Sequence, residues 1–247
     1  MTINVDAVGI SDIGLGRENN EDYWGRSQNY PIFILADGMG GHRAGEVAAR
    51  EAVTTFVKII DSKQLNHLEL GEVSELIFSA IVETNERVYA IGAANEAFKG
   101  MGTTLCVLYI SDEGVVWAHI GDSRIYQLHK RQLRQITRDD SLLSDMLDLG
   151  QIEEGGTARF RYKNILTKAL GTDVFVEPSV EISHLDIGDR FLLCTDGLTD
   201  VLGAEDIEEV LCKTHDLNQA AKQLIELAIK RNAQDNVTVL LVDILEK

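Results

Sequence analysis

The feature that most constrains this chain is a set of short apolar runs that each meet an aspartate. Ile32-Phe33-Ile34-Leu35-Ala36 stops at Asp37-Gly38, and Val116-Trp117-Ala118-His119-Ile120 stops at Gly121-Asp122. Phe191-Leu192-Leu193-Cys194-Thr195 stops at Asp196-Gly197, and Asp235-Asn236 opens Val237-Thr238-Val239-Leu240-Leu241-Val242. Runs this short, bounded by Gly, Asp and Asn, read as buried strands. The full set of expected strands is Ile3–Ile10, Ile32–Ala36, Thr104–Ile110, Val115–Ile120, Arg124–Leu128, Leu133–Thr137, Arg190–Thr195 and Asn236–Ile244. Ser111-Asp112-Glu113-Gly114 and Lys130-Arg131 sit between neighbouring runs as hairpin turns, which implies antiparallel pairing. Helical spacing marks a long helix from Glu72 to Ala97, one after Gly45 (Val47, Ala48, Ala52, Phe56, Ile60) and one through Leu217, Ala221, Leu224 and Ala228. Antiparallel strands with amphipathic helices give an α+β fold, helices covering sheet faces.

The 247 residues allow one large domain or two small ones, and only two prolines among them predict a chain that is compact from end to end. A formal charge of −17 argues against a nucleic-acid binder and against an anionic membrane surface. No apolar run approaches the roughly 20 residues that cross a bilayer, and no basic-then-apolar leader is visible at Met1. Cys106, Cys194 and Cys212 are widely spaced and two lie in apolar runs, so they read as small buried residues in a reducing compartment. A cytoplasmic monomer is the expectation.

One Asp-Gly after a strand is an ordinary turn signal. Several strand-end carboxylates converging on one sheet edge are different, because they repel unless a cation lies between them. Oxygen-only donors suit Mg²⁺ or Mn²⁺, and the lack of thiolate and histidine argues against zinc. Arg17, just before Glu21-Asp22, is placed to bind an oxyanion beside those ions. Carboxylates for two metals and an arginine for a phosphoryl group are the equipment of metal-assisted phosphate hydrolysis.

These residues resemble the metal-dependent Ser/Thr protein phosphatases of type 2C, in their bacterial form. The matching strings are Arg17-Glu18-Asn19-Asn20-Glu21-Asp22, Ala36-Asp37-Gly38-Met39-Gly40-Gly41-His42, Gly102-Thr103-Thr104, His119-Ile120-Gly121-Asp122-Ser123-Arg124, Leu166-Thr167-Lys168-Ala169-Leu170-Gly171, Thr195-Asp196-Gly197-Leu198-Thr199-Asp200 and Asp235-Asn236-Val237-Thr238. The resemblance implies an αββα sandwich over residues 1–247, two antiparallel sheets flanked by helices. It implies that Asp37 bridges two central metals, that Asp196 and Asp235 complete the first, and that Glu21 and the Gly38 carbonyl hold the second. Asp22 would support the second through water, and Asp122 with Asp196 would hold a weaker third ion. Arg17 would bind the phosphate, and Asn236 would steady the Asp235 end. The implied activity is attack of a metal-activated water on phosphoserine or phosphothreonine in proteins, opposing a Ser/Thr kinase. No phosphoenzyme is implied, and no cysteine is followed six residues later by the arginine of a cysteine phosphatase.

Some positions depart from the family pattern. Met39 follows Asp-Gly where many eukaryotic members have a histidine, and His42 is not its obvious substitute. Asp139-Asp140-Ser141 replaces Asp-His-Ser, Phe160-Arg161 replaces His-Pro, and Lys168 replaces arginine. These changes fall mainly around a flap expected over residues 142–163. Two other readings stay open on sequence alone: a phosphatase of a small phosphorylated metabolite, and a silent regulatory module. A silent module would be expected to lose metal carboxylates, and none is lost. A Ca²⁺-binding protein is weaker still, because no Asp-x-Asp-x-Asp-Gly loop is present.

Overall fold

A computed structural model describes residues 3–40, 44–152, 162 and 164–246. His42, Gly155-Gly156 and Phe160-Arg161 lie outside the described residues. The described elements run β1 (Ile3–Asp12), β2 (Asp22–Arg26), β3 (Ile32–Met39), α1 (Ala44–Asp61), α2 (Leu70–Ala94), β4 (Gly102–Thr103), β5 (Leu105–Ser111), β6 (Gly114–Ile120), β7 (Arg124–His129), β8 (Gln132–Gln135), α3 (Leu142–Asp148), β9 (Ser179–Ser183), β10 (Arg190–Cys194), α4 (Asp196–Thr199), α5 (Ala204–Lys213), α6 (Leu217–Lys230) and β11 (Val237–Glu246). They build two antiparallel sheets, β1-β11-β10-β7-β8 and β2-β3-β5-β6-β9, with the short β4 beside β3.

Side-chain alternation explains the layering. In β3, Ile32, Ile34 and Ala36 face α1 and α2, while Phe33 and Leu35 face the other sheet. In β10, Leu192 and Cys194 face α5 and α6, while Phe191 and Leu193 point between the sheets. The order is therefore helices, sheet, sheet, helices, as the αββα expectation has it. Each central strand is buried on both faces, which is why its sequence is a continuous apolar run although its pairing is antiparallel. Cys106 and Cys194 are fully buried members of these layers.

The expected hairpins form, with β5 and β6 in register from Leu105↔Ile120 to Ser111↔Gly114. Lys130 and Arg131 turn β7 into β8 with φ of 47° and 67°, a primed turn made by two non-glycine residues. Several elements lie outside the sequence expectation, among them β2, β9, α5 and the short β4 and α4. β2 and β9 are edge strands and half exposed, so neither is an apolar run; α5 is rich in acids and buries only Ile207 and Leu211. The long helix is α2, which ends at Ala94 and is followed by a 3₁₀ turn, Glu96–Phe98. The expected flap opens with α3, capped by Ser141 Oγ accepting from Ser144 N–H; residues 153–161 and 163 lie outside the described residues. No described helix is long and apolar enough to cross a membrane.

Candidate active site

The strand-end acids converge, but not on one sheet edge as the sequence alone suggests. Asp37 and Asp122 come from the end of one sheet, Asp196 and Asp235 from the end of the other. Adjacent strands of two stacked sheets end at the same side of the sandwich, and the acids ring a cavity of about 540 Å³ there. Arg17, Glu21, Asp37, Gly38, Met39, Asp122, Lys168, Asp196 and Asp235 all line it.

Local backbone geometry sets each position. Gly38 donates its N–H to the Glu21 carbonyl at 3.1 Å, and a Cβ there would lie 2.1 Å from the Gly45 carbonyl oxygen. Gly45, at the start of α1, is also too close to the Glu21 carboxylate for a side chain, 2.6 Å from an added Cβ. Only glycine permits this approach, so Glu21, Gly38 and the α1 N-terminus are locked together. Gly121 holds φ at +97° and turns the chain so that Asp122 faces the cavity.

Side chains tie these loops. Asn236 Oδ1 accepts from Glu21 N–H at 2.8 Å, and its Nδ2 donates to the carbonyls of Ile13 and Asn19 at 2.9 and 3.0 Å. The expected role of Asn236 thus has a concrete form: it fastens the Arg17 loop to the start of β11. Sequence reasoning missed Thr104. Its Oγ1 accepts from Asp37 N–H at 2.9 Å and bonds Ser123 Oγ at 2.7 Å, while its N–H donates to the Asp37 carbonyl at 2.8 Å. A threonine repeated in Gly102-Thr103-Thr104, between glycine and an apolar strand, is the only trace of this in the sequence.

Asp22 is placed differently from the others. It stands opposite Asp37 in the β2–β3 ladder and is not among the cavity's lining residues. Its Oδ2 accepts from Thr195 at 2.9 Å and from Thr238 at 2.6 Å; Thr238 in turn is 2.7 Å from Ser11, which Asn20 contacts at 2.7 Å. Its Oδ1 is buried with no hydrogen-bond partner among the described residues. Arg17 donates to Asp235 Oδ2 at 2.5 Å across a half-exposed pair. Lys168 lies 3.6 Å from Asp140, whose carboxylate accepts from Gly121 N–H at 3.1 Å. The family's usual histidine position, Asp140, therefore braces the Asp122 turn. His119 is buried and donates Nε2–H to the Arg138 carbonyl at 2.6 Å; burial lowers its pKa.

The electrostatics follow from burial. Desolvation, then neighbouring acids, raises Asp37 and Asp196 well above the ordinary carboxylate range. Asp122 is pushed up to about 6, first by burial and then by Asp139. Burial raises Asp22 to about 7, against the threonine hydrogen bonds. Burial also raises Glu21. As they stand, no three described acidic, histidine or cysteine side chains close on one point to hold an ion. The chemistry of the donor set still fits hard divalent cations. Six carboxylates, Asp173 among them, share one cavity with a single arginine, and an orphaned carboxylate oxygen lies behind Asp37. Like charges hold such a set apart, and a cation between them inverts that repulsion.

Comparison with known proteins agrees in family and fold. The protein phosphatase 2C family profile matches residues 15–238. The protein phosphatase PhpP of Streptococcus pneumoniae is 35% identical over 241 residues, 96% of this chain and 97% of that protein. The crystal structure of the Ser/Thr phosphatase Stp1 from Staphylococcus aureus superposes with a TM-score of 0.92 at 34% identity, covering 99% of this chain and 96% of that one. The catalytic domain of the Ser/Thr protein phosphatase PstP, solved in complex with two manganese ions, matches with a TM-score of 0.88 at 33% identity, covering 99% and 100% of the two chains. The chain belongs to the protein phosphatase 2C family.

Proposed function

We propose that the protein hydrolyses phosphoserine and phosphothreonine esters in proteins, using Mn²⁺ or Mg²⁺. The observation that carries this reading is the set Glu21, Asp37, Asp122, Asp196 and Asp235 lining one cavity with Arg17. Asp37, Asp196 and Asp235 are the residues for one central ion. Asp37, Glu21 and the Gly38 carbonyl are those for the other, with Asp22 behind. Asp122 with Asp196 would take a third. When bound, the ions supply a water nucleophile at neutral pH and neutralise phosphoryl charge. Arg17 binds and orients the phosphoryl oxygens, exchanging its contact with Asp235 for them. Thr104 and Asn236 hold Asp37, Glu21 and Asp235 in place. The finer reading is a single catalytic domain, monomeric and cytoplasmic, with a substrate-steering flap over residues 142–163, opposing a Ser/Thr kinase.

The test compares phosphothreonine peptides, small phosphorylated metabolites and an aryl phosphate, each with Mn²⁺ and with chelator. Metal-dependent hydrolysis of the peptides at the highest kcat/KM is the expected result. Preference for the small esters would make the protein a metabolite phosphatase, and inertness towards all would make it a silent module.

A further inference from the structure

Beside the cavity, one wall is held by a polar residue that the catalytic site does not require. Asn85 is fully buried on α2, on the helix face that also buries Val73, Ile77, Ile81, Thr84 and Val88. Its Oδ1 accepts from Gly171 N–H at 2.8 Å, and its Nδ2 donates to the carbonyls of Asp173 and Val174 at 3.0 and 3.2 Å. These bonds fix a loop that puts Thr172 and Asp173 on the cavity wall. The same loop leaves Val174 50% and Phe175 90% exposed, then returns to the fold through Val176. An aromatic ring so exposed on a pinned loop is positioned for contact, since nothing among the described residues buries it.

The apolar strip continues away from the cavity. Two adjoining clefts run along α2; one is lined by Phe78, Val82, Glu83 and Glu86, the other by Glu75, Phe78, Pro178 and Val180. Phe78, Val82 and Asn85 share one helix face, and the seven helical steps from Phe78 to Asn85 span about 10 Å, the reach of about three residues of extended chain. Phe78 itself is 40% exposed. Among the described residues no lysine or arginine lines either cleft, whereas Glu75, Glu83 and Glu86 do. Strand β9 beside them is an edge strand, so its outer main-chain groups can pair with an extended segment.

We propose that this strip, Phe175 and the α2–β9 clefts, is the docking surface for the phosphoprotein segment that flanks the phosphorylated residue. It would select an apolar side chain near the phosphoresidue and Lys or Arg beyond it. The proposal rests on the phosphoprotein reading above. It commits to the substrate as occupant for two reasons: the strip begins at the wall of the catalytic cavity, and its acidic rim complements a basic segment.

The experiment uses the full chain with Mn²⁺ and phosphothreonine peptides carrying a Leu-Lys-Lys block on one side or the other. The reference peptides carry Gly-Glu-Glu instead, and every kcat/KM is divided by that variant's own value on an aryl phosphate. The wild type should favour Leu-Lys-Lys on one side by about tenfold, the scale of one apolar anchor with rim charges. Phe78→Asp and, separately, Glu83→Lys with Glu86→Lys should each remove most of that ratio. Equal ratios for both blocks on both sides, or a preference that survives both variants, would overturn the proposal. So would a dimer in sedimentation that Phe78→Asp dissociates, because the strip would then face a second copy. Hydrolysis of the aryl ester but of no phosphopeptide would remove the phosphoprotein reading and this proposal together. Loss of the block preference alone leaves the phosphoprotein reading standing.

Discussion

In the Arg17–Asp235 contact the candidate phosphate residue and a candidate metal carboxylate touch. The pair is half exposed, so its own contribution to stability is at most about 1 kcal/mol. Arg17→Ala should therefore leave Tm nearly unchanged while raising KM and weakening inhibition by inorganic phosphate. Phosphate inhibition that does not move would remove Arg17 from substrate binding. The buried carboxyls make a second prediction. Asp22, raised to about 7, and Asp122, raised to about 6, hold protons more tightly in the folded protein than in the unfolded chain. Stability from a raised carboxyl is present below its ordinary pKa and is lost as pH rises through the folded value. The metal-free protein should therefore lose Tm between about pH 4 and about pH 7, and Asp22→Asn should flatten that slope. Calorimetry on chelated protein checks this, and an unchanged slope in the variant would take Asp22 out of the explanation.

Elements differ in how much of themselves the sequence displays. β3, β5, β6, β10 and β11 are buried on both faces, so hydropathy alone exposes them, and their bounding Asp and Gly locate the candidate site. β2 and β9 are edge strands with mixed polarity; β2 pairs with β3 directly after it, whereas the pairing of β9 depends on β6, far away in sequence. The long-range fastenings are illegible for the same reason. Nothing near Asn236 indicates that it reaches Ile13, 223 residues away, and nothing near Asp22 points to Thr195 and Thr238. Asn236→Ala tests such a fastening, since it strips partners from the Glu21 amide and from two carbonyls. A loss of about 1–3 kcal/mol is expected. The Mn²⁺ concentration for half-maximal rate should rise as well, because Glu21 and Asp235 lose their shared anchor. A Tm loss with an unmoved Mn²⁺ titration would make Asn236 a purely structural tie.

At the scale of the whole molecule, the three apolar layers and the cavity are separate structures. The layers on either side of the sheets and between them consist of aliphatic and aromatic side chains from every central strand. None of the cavity's carboxylates belongs to those layers. Folding energy that scales with buried apolar area is therefore independent of the ions, whereas the clustered acids oppose the folded state until cations join them. Chelation should accordingly abolish hydrolysis while far-UV and near-UV circular dichroism keep their native form. Unfolding should stay cooperative at a lower Tm. Re-addition of Mn²⁺ should restore the rate and raise Tm with the logarithm of its concentration, by about 2.7 kcal/mol of added stability at a hundredfold excess over Kd. Asp37→Ala should show neither response, because the carboxylate expected to lie between both central ions is gone. Its metal-free form should match or exceed the wild type in Tm, because a desolvated carboxyl crowded by other acids has been removed. Collapse of the near-UV spectrum on chelation would mean that the ions are part of the fold itself. Full activity after exhaustive chelation would mean that the carboxylates serve some other chemistry.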